Sequence, residues 1–168
     1  MKISIVADSH DNLATIQKAI TWLNKEKIKI LLHCGDVCSP STLKEIAKLF
    51  KGKIYLSFGN VDGDLSNMLE PKTKGKFKNV VFCGDSGKIT IAGKKIAFCH
   101  FPLTAQGLAA SKKYDFVFYG HTHRPWEEKV GKTRLVNPGT LAGVFNKATF
   151  AVYDTRTDKL ELKLIERL

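Results

Sequence analysis

The chain has 168 residues, of which 43% are hydrophobic and 26% are charged, so it is long enough to bury a substantial core. It has no apolar run near the roughly 20 residues that span a bilayer and no signal-peptide pattern, so we expect a cytoplasmic protein without a membrane anchor. The net charge of +11 favours anionic partners, but only four of the 27 basic residues are arginine, which argues against a specific nucleic-acid reader without excluding one.

The first half of the chain alternates apolar β-rich runs with segments of helical spacing. The first run begins at Ile3 and stops abruptly at Asp8, and Asn12 is a suitable N-cap for the helix that follows. Strands that alternate with helices are parallel and joined by crossovers, which predicts a layered α/β fold. The predicted strands cover about 3–7, 28–33 and 53–58, and the predicted helices about 13–25 and 40–50.

The second half changes to short β-rich runs separated by glycine turns, a pattern typical of antiparallel strands. Residues 61–77 are polar and turn-rich, with a short helical turn expected around 65–69. We expect a single domain over residues 1–168, whose second half adds a largely antiparallel sheet. Its predicted elements are strands over 80–83, 88–91, 95–99 and 115–119, a helix over 104–113, and hairpins over 125–136 and 148–166.

Side chains with metal-binding chemistry follow five of these strands at the point where each strand ends. Glycines precede several of them, as in Gly35-Asp36 and Gly59-Asn60. In α/β sheets ligands bind outside the carboxyl ends of the strands, so these side chains are expected to converge. Four of the five histidines in the chain belong to the set. The candidate ligands are Asp8, His10, Asp36, Asn60, His100, His121 and His123.

The ordered motifs resemble those of the calcineurin-like metallophosphoesterase superfamily, and the length is similar to that of its small prokaryotic and archaeal phosphodiesterase branch. The resemblance extends from residue 3 to about residue 140, and it implies a four-layer αββα sandwich of two facing mixed β-sheets flanked by helices. The motifs that carry it are Asp8-Ser9-His10, Gly35-Asp36, Gly59-Asn60, His100, Gly120-His121-Thr122-His123 and Asn137-Pro138-Gly139-Thr140.

The resemblance also implies a dinuclear metal centre bridged by Asp36, with Asp36, Asn60 and His100 as catalytic residues. Seven nitrogen and oxygen donors exceed what one ion of ordinary coordination takes, and four imidazoles favour transition metals over Ca²⁺ or Mg²⁺. Mn²⁺ is our first choice, with Ni²⁺, Fe, Co²⁺ and Zn²⁺ as alternatives. The implied ligand sets are Asp8, His10 and His123 for one ion and Asn60, His100 and His121 for the other.

Two divalent ions would outweigh the two carboxylates and leave the site positive enough to hold an anionic phosphate. Together with the resemblance, this predicts a phosphodiesterase that hydrolyses small phosphate diesters by attack of a hydroxide bridging the two ions. Arg124, next to His123, is a candidate phosphate-binding residue, with a surface role as the alternative.

One position departs from the superfamily pattern. Many members carry a general-acid histidine directly after the asparagine of the Gly-Asn motif, where this chain has Val61. General acid catalysis is worth about 10²–10⁴-fold, so we expect slow turnover of unactivated esters and better turnover of aryl diesters. Asp62 is the nearest titratable neighbour, and we expect it to stabilise the turn.

Two other functions stay open on sequence grounds. The superfamily includes a retromer-type subunit that uses the fold for protein contact, so a metal-binding interaction scaffold with little catalysis is one alternative. A nuclease is the other, because the fold also resembles the catalytic domain of double-strand-break repair nucleases. The sequence leaves homo-oligomerisation possible.

Overall fold

The computed structural model describes residues 1–66 and 77–168, and in these residues two β-sheets are accompanied by short helices. The expected helical turn at 65–69 lies mostly outside the described residues. The strands are β1 Lys2–Val6, β2 Ile30–His33, β3 Lys53–Leu56, β4 Val80–Phe82, β5 Ser86–Ile91, β6 Lys94–Cys99, β7 Phe116–Phe118, β8 Trp126–Val130, β9 Thr133–Asn137, β10 Thr149–Asp154 and β11 Lys159–Leu164. The helices are α1 Leu13–Lys25, α2 Pro40–Leu49, α3 Gly63–Ser66 and α4 Pro102–Ala110, with a 3₁₀ turn at Ile165–Arg167.

The first sheet has the order β11-β10-β1-β2-β3-β4, and the second has the order β5-β6-β7-β9-β8. Strands β1 to β4 are parallel, whereas β10 and β11 add to the same sheet in antiparallel fashion. The second sheet is parallel at its centre and antiparallel at its two edges. Two mixed sheets in an α/β arrangement confirm the predicted fold class.

Two details of the predicted topology were wrong. The run at 80–83 was expected to be antiparallel, but β4 pairs with β3 in parallel. The second sheet was expected to be largely antiparallel, but it is mixed, and the last hairpin joins the first sheet instead. Short β-rich runs indicate that a strand forms, but its direction depends on which sheet edge is free to accept it.

Alternation along the strands separates three apolar layers. In β1, Ile3 and Ile5 face the second sheet, where they join Phe98 of β6 in the central core. Val6 faces the opposite way, toward α1 and α2. Ala97 of β6 likewise turns outward to pack with α4. Successive strand residues point to opposite faces, so each sheet is covered on both sides and the layers run helix, sheet, sheet, helix.

Helix α1 begins at its predicted N-cap, and in α2 a serine has the same role. The Asn12 side chain accepts a hydrogen bond from the Thr15 N–H, and Ser39 accepts one from the Thr42 N–H. A side-chain cap of this kind typically stabilises a helix by about 1 kcal/mol. Among the described residues, none of the helices combines the length and hydrophobicity that crossing a bilayer would need.

Candidate metal centre

All seven candidate ligands lie at the carboxyl ends of strands and meet at one edge of the two sheets. Asp8 and His10 follow β1, Asp36 follows β2 and Asn60 follows β3. The second sheet supplies the other three histidines from the loops after β6 and β7. Among the described residues, two overlapping groups have donor atoms within 4.8 Å of one another, and these are Asp8, His10 and His123, and Asp8, Asp36 and His100.

The backbone of this edge is held in an unusual conformation. Most of the seven residues have a positive φ, a region that L-residues other than glycine seldom adopt. Each such residue costs on the order of 1–3 kcal/mol and persists where the surrounding structure fixes it. The residues and angles are Asp8 (53°), His10 (40°), Asp36 (59°), His121 (72°) and His123 (58°).

One end of the cluster is formed by two imidazoles and a carboxylate. The Nε2 atoms of His10 and His123 lie 3.0 Å apart, and His123 Nε2 lies 3.5 Å from Asp8 Oδ1. His10 Nε2 is also 3.7 Å from Asp36 Oδ2, which connects this end to the middle of the site. Asp8 and Asp36 are buried, whereas His10 is partly exposed to solvent.

The other end brings three nitrogen and oxygen donors into a small triangle. Asn60 Oδ1 lies 3.0 Å from His100 Nε2 and 3.0 Å from His121 Nδ1, and the two ring nitrogens are 3.2 Å apart. His100 Nε2 is 3.4 Å from Asp36 Oδ2, so Asp36 approaches both ends with the same oxygen. An ion bound between these three donor atoms would be held by two imidazole nitrogens and one amide oxygen, a set that suits transition metals.

Backbone carbonyls fix the orientation of two of the imidazoles. His100 Nδ1 lies 2.9 Å from the carbonyl oxygen of Cys34, and His123 Nδ1 lies 3.3 Å from that of Val144. When Nδ1 donates its proton to the carbonyl, Nε2 is left with a lone pair facing the site. Histidines that bind metals nearly always have such a partner on the other ring nitrogen.

The titration of the site reflects its burial. Burial raises the pKa of the Asp8 carboxyl to about 8, opposed by the His121 N–H and reinforced by the negative charges of Asp36 and Asp62. Burial also lowers the pKa of His100 and that of His123, which favours neutral imidazoles. A cation would reverse the effect on Asp8, since a carboxylate beside a positive charge is stabilised in its ionised form.

Asp62 organises the loops that carry the ligands. Its carboxylate accepts hydrogen bonds from the backbone N–H groups of Asp36 (2.8 Å), Cys38 (2.9 Å) and Gly59 (2.8 Å). These bonds tie the loop after β2 to the loop after β3. The predicted turn-stabilising role of Asp62 is confirmed, and it extends to the loop of Asp36, which the sequence spacing did not indicate.

Cys38 and Val144 also approach the site, through contacts that the sequence spacing does not specify. Cys38 places its thiol 3.5 Å from His10 Nδ1, and the Val144 carbonyl holds His123. A backbone carbonyl in an irregular loop leaves no signal in a sequence.

His33, outside the site, is buried with Nε2 3.0 Å from Ser9 Oγ, and burial lowers its pKa to about 4.

Arg124 lies on the exposed surface beside His123. Its guanidinium carbon is 5.7 Å from the centre of the Trp126 ring, and Trp126 is 49% exposed. This cation–π contact gives the side chain a defined resting position. The predicted role in phosphate binding therefore requires the guanidinium to leave or to share that contact.

Proteins similar to this chain include two phosphodiesterases and a Vps29 of the same fold. Phosphodiesterase MJ0936 from Methanocaldococcus jannaschii is 33% identical over 156 residues, covering 92% of this chain and 93% of that protein. The solved structure of an archaeal phosphodiesterase is 30% identical, with a TM-score of 0.86 and coverage of 98% and 99% of the two chains. Vps29 from Chaetomium thermophilum shares the fold, with a TM-score of 0.72 at 15% identity and coverage of 98% and 95%.

The family assignment covers most of the chain. Residues 1–158 match the model of the calcineurin-like phosphoesterase superfamily domain. This range includes every strand end described above and stops within the last hairpin. A clustered set of carboxylates and imidazoles in that fold makes this edge a candidate divalent-metal site. The chain belongs to the calcineurin-like phosphoesterase superfamily.

Proposed function

We propose that this chain is a metal-dependent phosphodiesterase that hydrolyses small phosphate diesters with two divalent transition-metal ions, Mn²⁺ being the first choice. The observation that carries the proposal is the contact of Asp36 Oδ2 with both ends of the cluster, 3.7 Å from His10 Nε2 and 3.4 Å from His100 Nε2. A carboxylate between two groups of donors is the arrangement that a bridging ligand requires.

The donor set fits such ions. Asn60 Oδ1 and His100 Nε2 lie 3.0 Å apart, and His100 Nδ1 lies 2.9 Å from the Cys34 carbonyl oxygen, so a neutral imidazole has one proton for two oxygen acceptors. Two lone pairs directed at each other are unfavourable unless a cation or a donor lies between them. The proposed sets are Asp8, His10 and His123 for one ion and Asn60, His100 and His121 for the other, with Asp36 shared.

The chain's own residues position and hold the reacting groups. When bound, the ions would acidify water and neutralise charge on the phosphoryl group. Asp36 Oδ1 accepts a hydrogen bond from the Val61 N–H (3.2 Å), which leaves Oδ2 directed at the other candidate ligands. The His121 N–H donates to both oxygens of Asp8 (3.1 Å each), so the Asp8 carboxylate cannot turn away from the site.

Leaving-group protonation is the step for which the chain offers least help. Val61 is 42% exposed at the position of the superfamily's general acid and carries no proton. Asp62 is 1% exposed and already accepts three backbone hydrogen bonds, so it is poorly placed to donate a proton to substrate. Good leaving groups, such as aryl alcohols, are therefore the proposed preference.

Two further points belong to the same proposal. Arg124 is proposed to help bind the phosphate from its position on Trp126, and Arg124→Ala would then raise KM more than it lowers kcat.

We also propose one domain over residues 1–168, because β1 at the N-terminus pairs with β10 near the C-terminus within a single sheet.

The decisive experiment is hydrolysis of bis(4-nitrophenyl) phosphate by metal-stripped protein, with Mn²⁺, Ni²⁺, Zn²⁺ or Mg²⁺ added back. We expect diester cleavage that depends on the added metal and exceeds cleavage of 4-nitrophenyl phosphate. Asp36→Asn and His100→Ala should each reduce the rate by about 10²–10³-fold with the circular dichroism spectrum unchanged. Equal activity of these variants and the wild type would overturn the proposal.

The second candidate is a metal-binding scaffold for protein contact, favoured by the likeness to the Vps29 fold. It predicts two tightly bound ions per chain, measured by elemental analysis, without hydrolysis of any diester. A nuclease would instead cleave single-stranded DNA, and the same assay with a labelled oligonucleotide distinguishes it from a small-diester enzyme.

A further inference from the structure

Two exposed aromatic rings border opposite ends of the candidate metal centre. The ring of Phe101 lies 5.0 Å from that of His100 and 5.3 Å from that of His121, and the residue is 42% exposed. The ring of Phe145 lies 5.6 Å from that of His123, and the residue is 91% exposed. The proposed hydrolysis assigns neither ring a role.

Phe145 is held out in solvent by a strained loop. Its φ is 63°, a region that a bulky L-residue seldom adopts, and Gly143 nearby has a φ of 77°. The loop is attached to the site, because the Val144 carbonyl lies 3.3 Å from His123 Nδ1. Strained residues of this kind cluster at ligand clamps. A nearly fully exposed phenyl ring next to a polar centre therefore indicates a surface that a ligand covers.

The two rings share the chemistry of a stacking platform. Aromatic rings pack with centroids about 4.5–7 Å apart, and a phenyl face accepts any planar base or aryl group. The rings carry no charge, so they select the organic part of an ester and leave the phosphate to the metal centre. Val61, 42% exposed next to Asn60, adds an apolar group at the same edge.

We propose that Phe101 and Phe145 stack on planar aromatic groups of the phosphodiester, a nucleobase or an aryl ring, while the phosphate lies at the metal centre. This inference rests on the proposed phosphodiesterase function and names its substrate class. It separates aromatic diesters from aliphatic ones, such as glycerol or choline esters, which offer no planar face to either ring.

The test compares two diesters with one leaving group. Thymidine 5′-(4-nitrophenyl phosphate) and methyl 4-nitrophenyl phosphate both release 4-nitrophenolate, so their ratio of kcat/KM reports the group that stays on phosphorus. We expect the wild type to prefer the thymidine ester by about tenfold or more. Phe145→Ala and Phe101→Ala should reduce that preference, mainly through KM, and the double variant should remove it.

Matched variants distinguish stacking by an aromatic ring from contact by any apolar side chain. Phe145→Tyr keeps the ring and should keep the preference, whereas Phe145→Leu keeps an apolar side chain and should reduce the preference as much as Phe145→Ala does. Leu162→Ala, which removes a 49% exposed apolar side chain on β11, should leave the preference unchanged. A wild-type ratio near one, or a ratio that survives the double alanine variant, would overturn the inference.

A binding measurement keeps this inference distinct from the proposed function. Titration of Mn²⁺-loaded protein with thymidine 5′-phosphate and with methyl phosphate requires no turnover. If no diester is hydrolysed but the thymidine compound binds about tenfold more tightly, and the double alanine variant removes the difference, the phosphodiesterase proposal fails and the stacking site stands. Equal binding of the two compounds would refute the stacking site.

Discussion

The bodies of the helices and strands differ from the strand ends in how closely they follow local rules. Helix α1 begins at its Asn12 cap and buries Ile16 and Ile20 on one face, as helical spacing requires. At the strand ends, five candidate ligands have positive φ, and two carboxylates are buried next to each other's charge. The regular helices and strands therefore stabilise the fold, whereas the strand ends are less stable locally because they hold donor atoms close together.

The largest expected effect comes from a methyl group placed at a strand end. A Cβ on Gly59 would overlap the Asp36 carboxylate and lie 2.6 Å from the Asp36 backbone nitrogen. Gly59→Ala should therefore displace Asp36 and reduce metal-dependent diester hydrolysis by about 10²-fold or more. The assay is kcat/KM for bis(4-nitrophenyl) phosphate with saturating Mn²⁺.

The control for that substitution is Gly63→Ala. A Cβ on Gly63 meets no heavy atom of the described residues within 4 Å, and this residue begins α3 only four positions further on. We expect nearly wild-type activity from it. Similar losses in both variants would show that the close approach of Gly59 to Asp36 is not the cause.

A smaller loss should follow removal of the carboxylate that ties two loops together. Asp62→Ala leaves the N–H groups of Asp36, Cys38 and Gly59 without their acceptor. Residues that support metal ligands typically contribute 10–100-fold to metal affinity or activity. We expect weaker Mn²⁺ binding by isothermal titration calorimetry, with kcat partly restored at high Mn²⁺.

Asp62→Asn distinguishes positioning from acid catalysis. The amide keeps one oxygen acceptor, so it should lose less Mn²⁺ affinity than Asp62→Ala. If Asp62 positions the loops, Asp62→Asn should slow aryl and alkyl diesters equally. A selective loss on alkyl diesters would instead assign Asp62 a role in protonating the leaving group.

The burial of Asp8 at a strand end should also make the free energy of unfolding depend on pH. Because burial raises the pKa of Asp8 from its ordinary value of 3.8 to about 8, protonated Asp8 stabilises the metal-free fold at low pH. That contribution is fully present below 3.8 and is lost as the pH rises to about 8. Asp8→Asn should therefore raise the stability of metal-free protein by about 1 kcal/mol near pH 9 and change it little near pH 4.

Thermal unfolding of the metal-free protein measures this difference. Asp85→Asn, which alters an exposed carboxylate in the β4–β5 turn, is the matched control and should change the Tm little. Added Mn²⁺ should raise the Tm of the wild type and have less effect on Asp8→Asn. A stabilisation that is the same at both pH values would contradict the burial argument.

The smallest effect is expected within a helix body. Gly107 lies inside α4, and a Cβ there meets no described heavy atom within 4 Å. Gly107→Ala should stabilise the protein by about 0.5–1 kcal/mol, since alanine has the higher helix propensity. Gly131→Ala has equal space but a φ of 62° in a hairpin turn, so it should destabilise instead. Chemical denaturation of both variants tests whether φ, and not space, decides the sign.

The sequence by itself determined the elements of the first half and the candidate site residues. Helical spacing and caps are local properties, so α1 could be predicted from its Asn12 cap and its apolar positions, and α2 from its apolar positions. The candidate ligands could be named because polar residues directly after apolar runs mark strand ends, and the carboxyl ends of parallel strands share one edge.

Only the tertiary structure decided how the strands pair and how the site is held. The parallel pairing of β4 and the return of the last hairpin to the first sheet depend on which edges are free after folding. The reach of Asp62 to the loop of Asp36 and the carbonyl of Val144 at His123 join residues far apart in the chain. Such contacts follow from loop conformation, which residue type and spacing do not encode, so the same sequence pattern could have left these side chains apart.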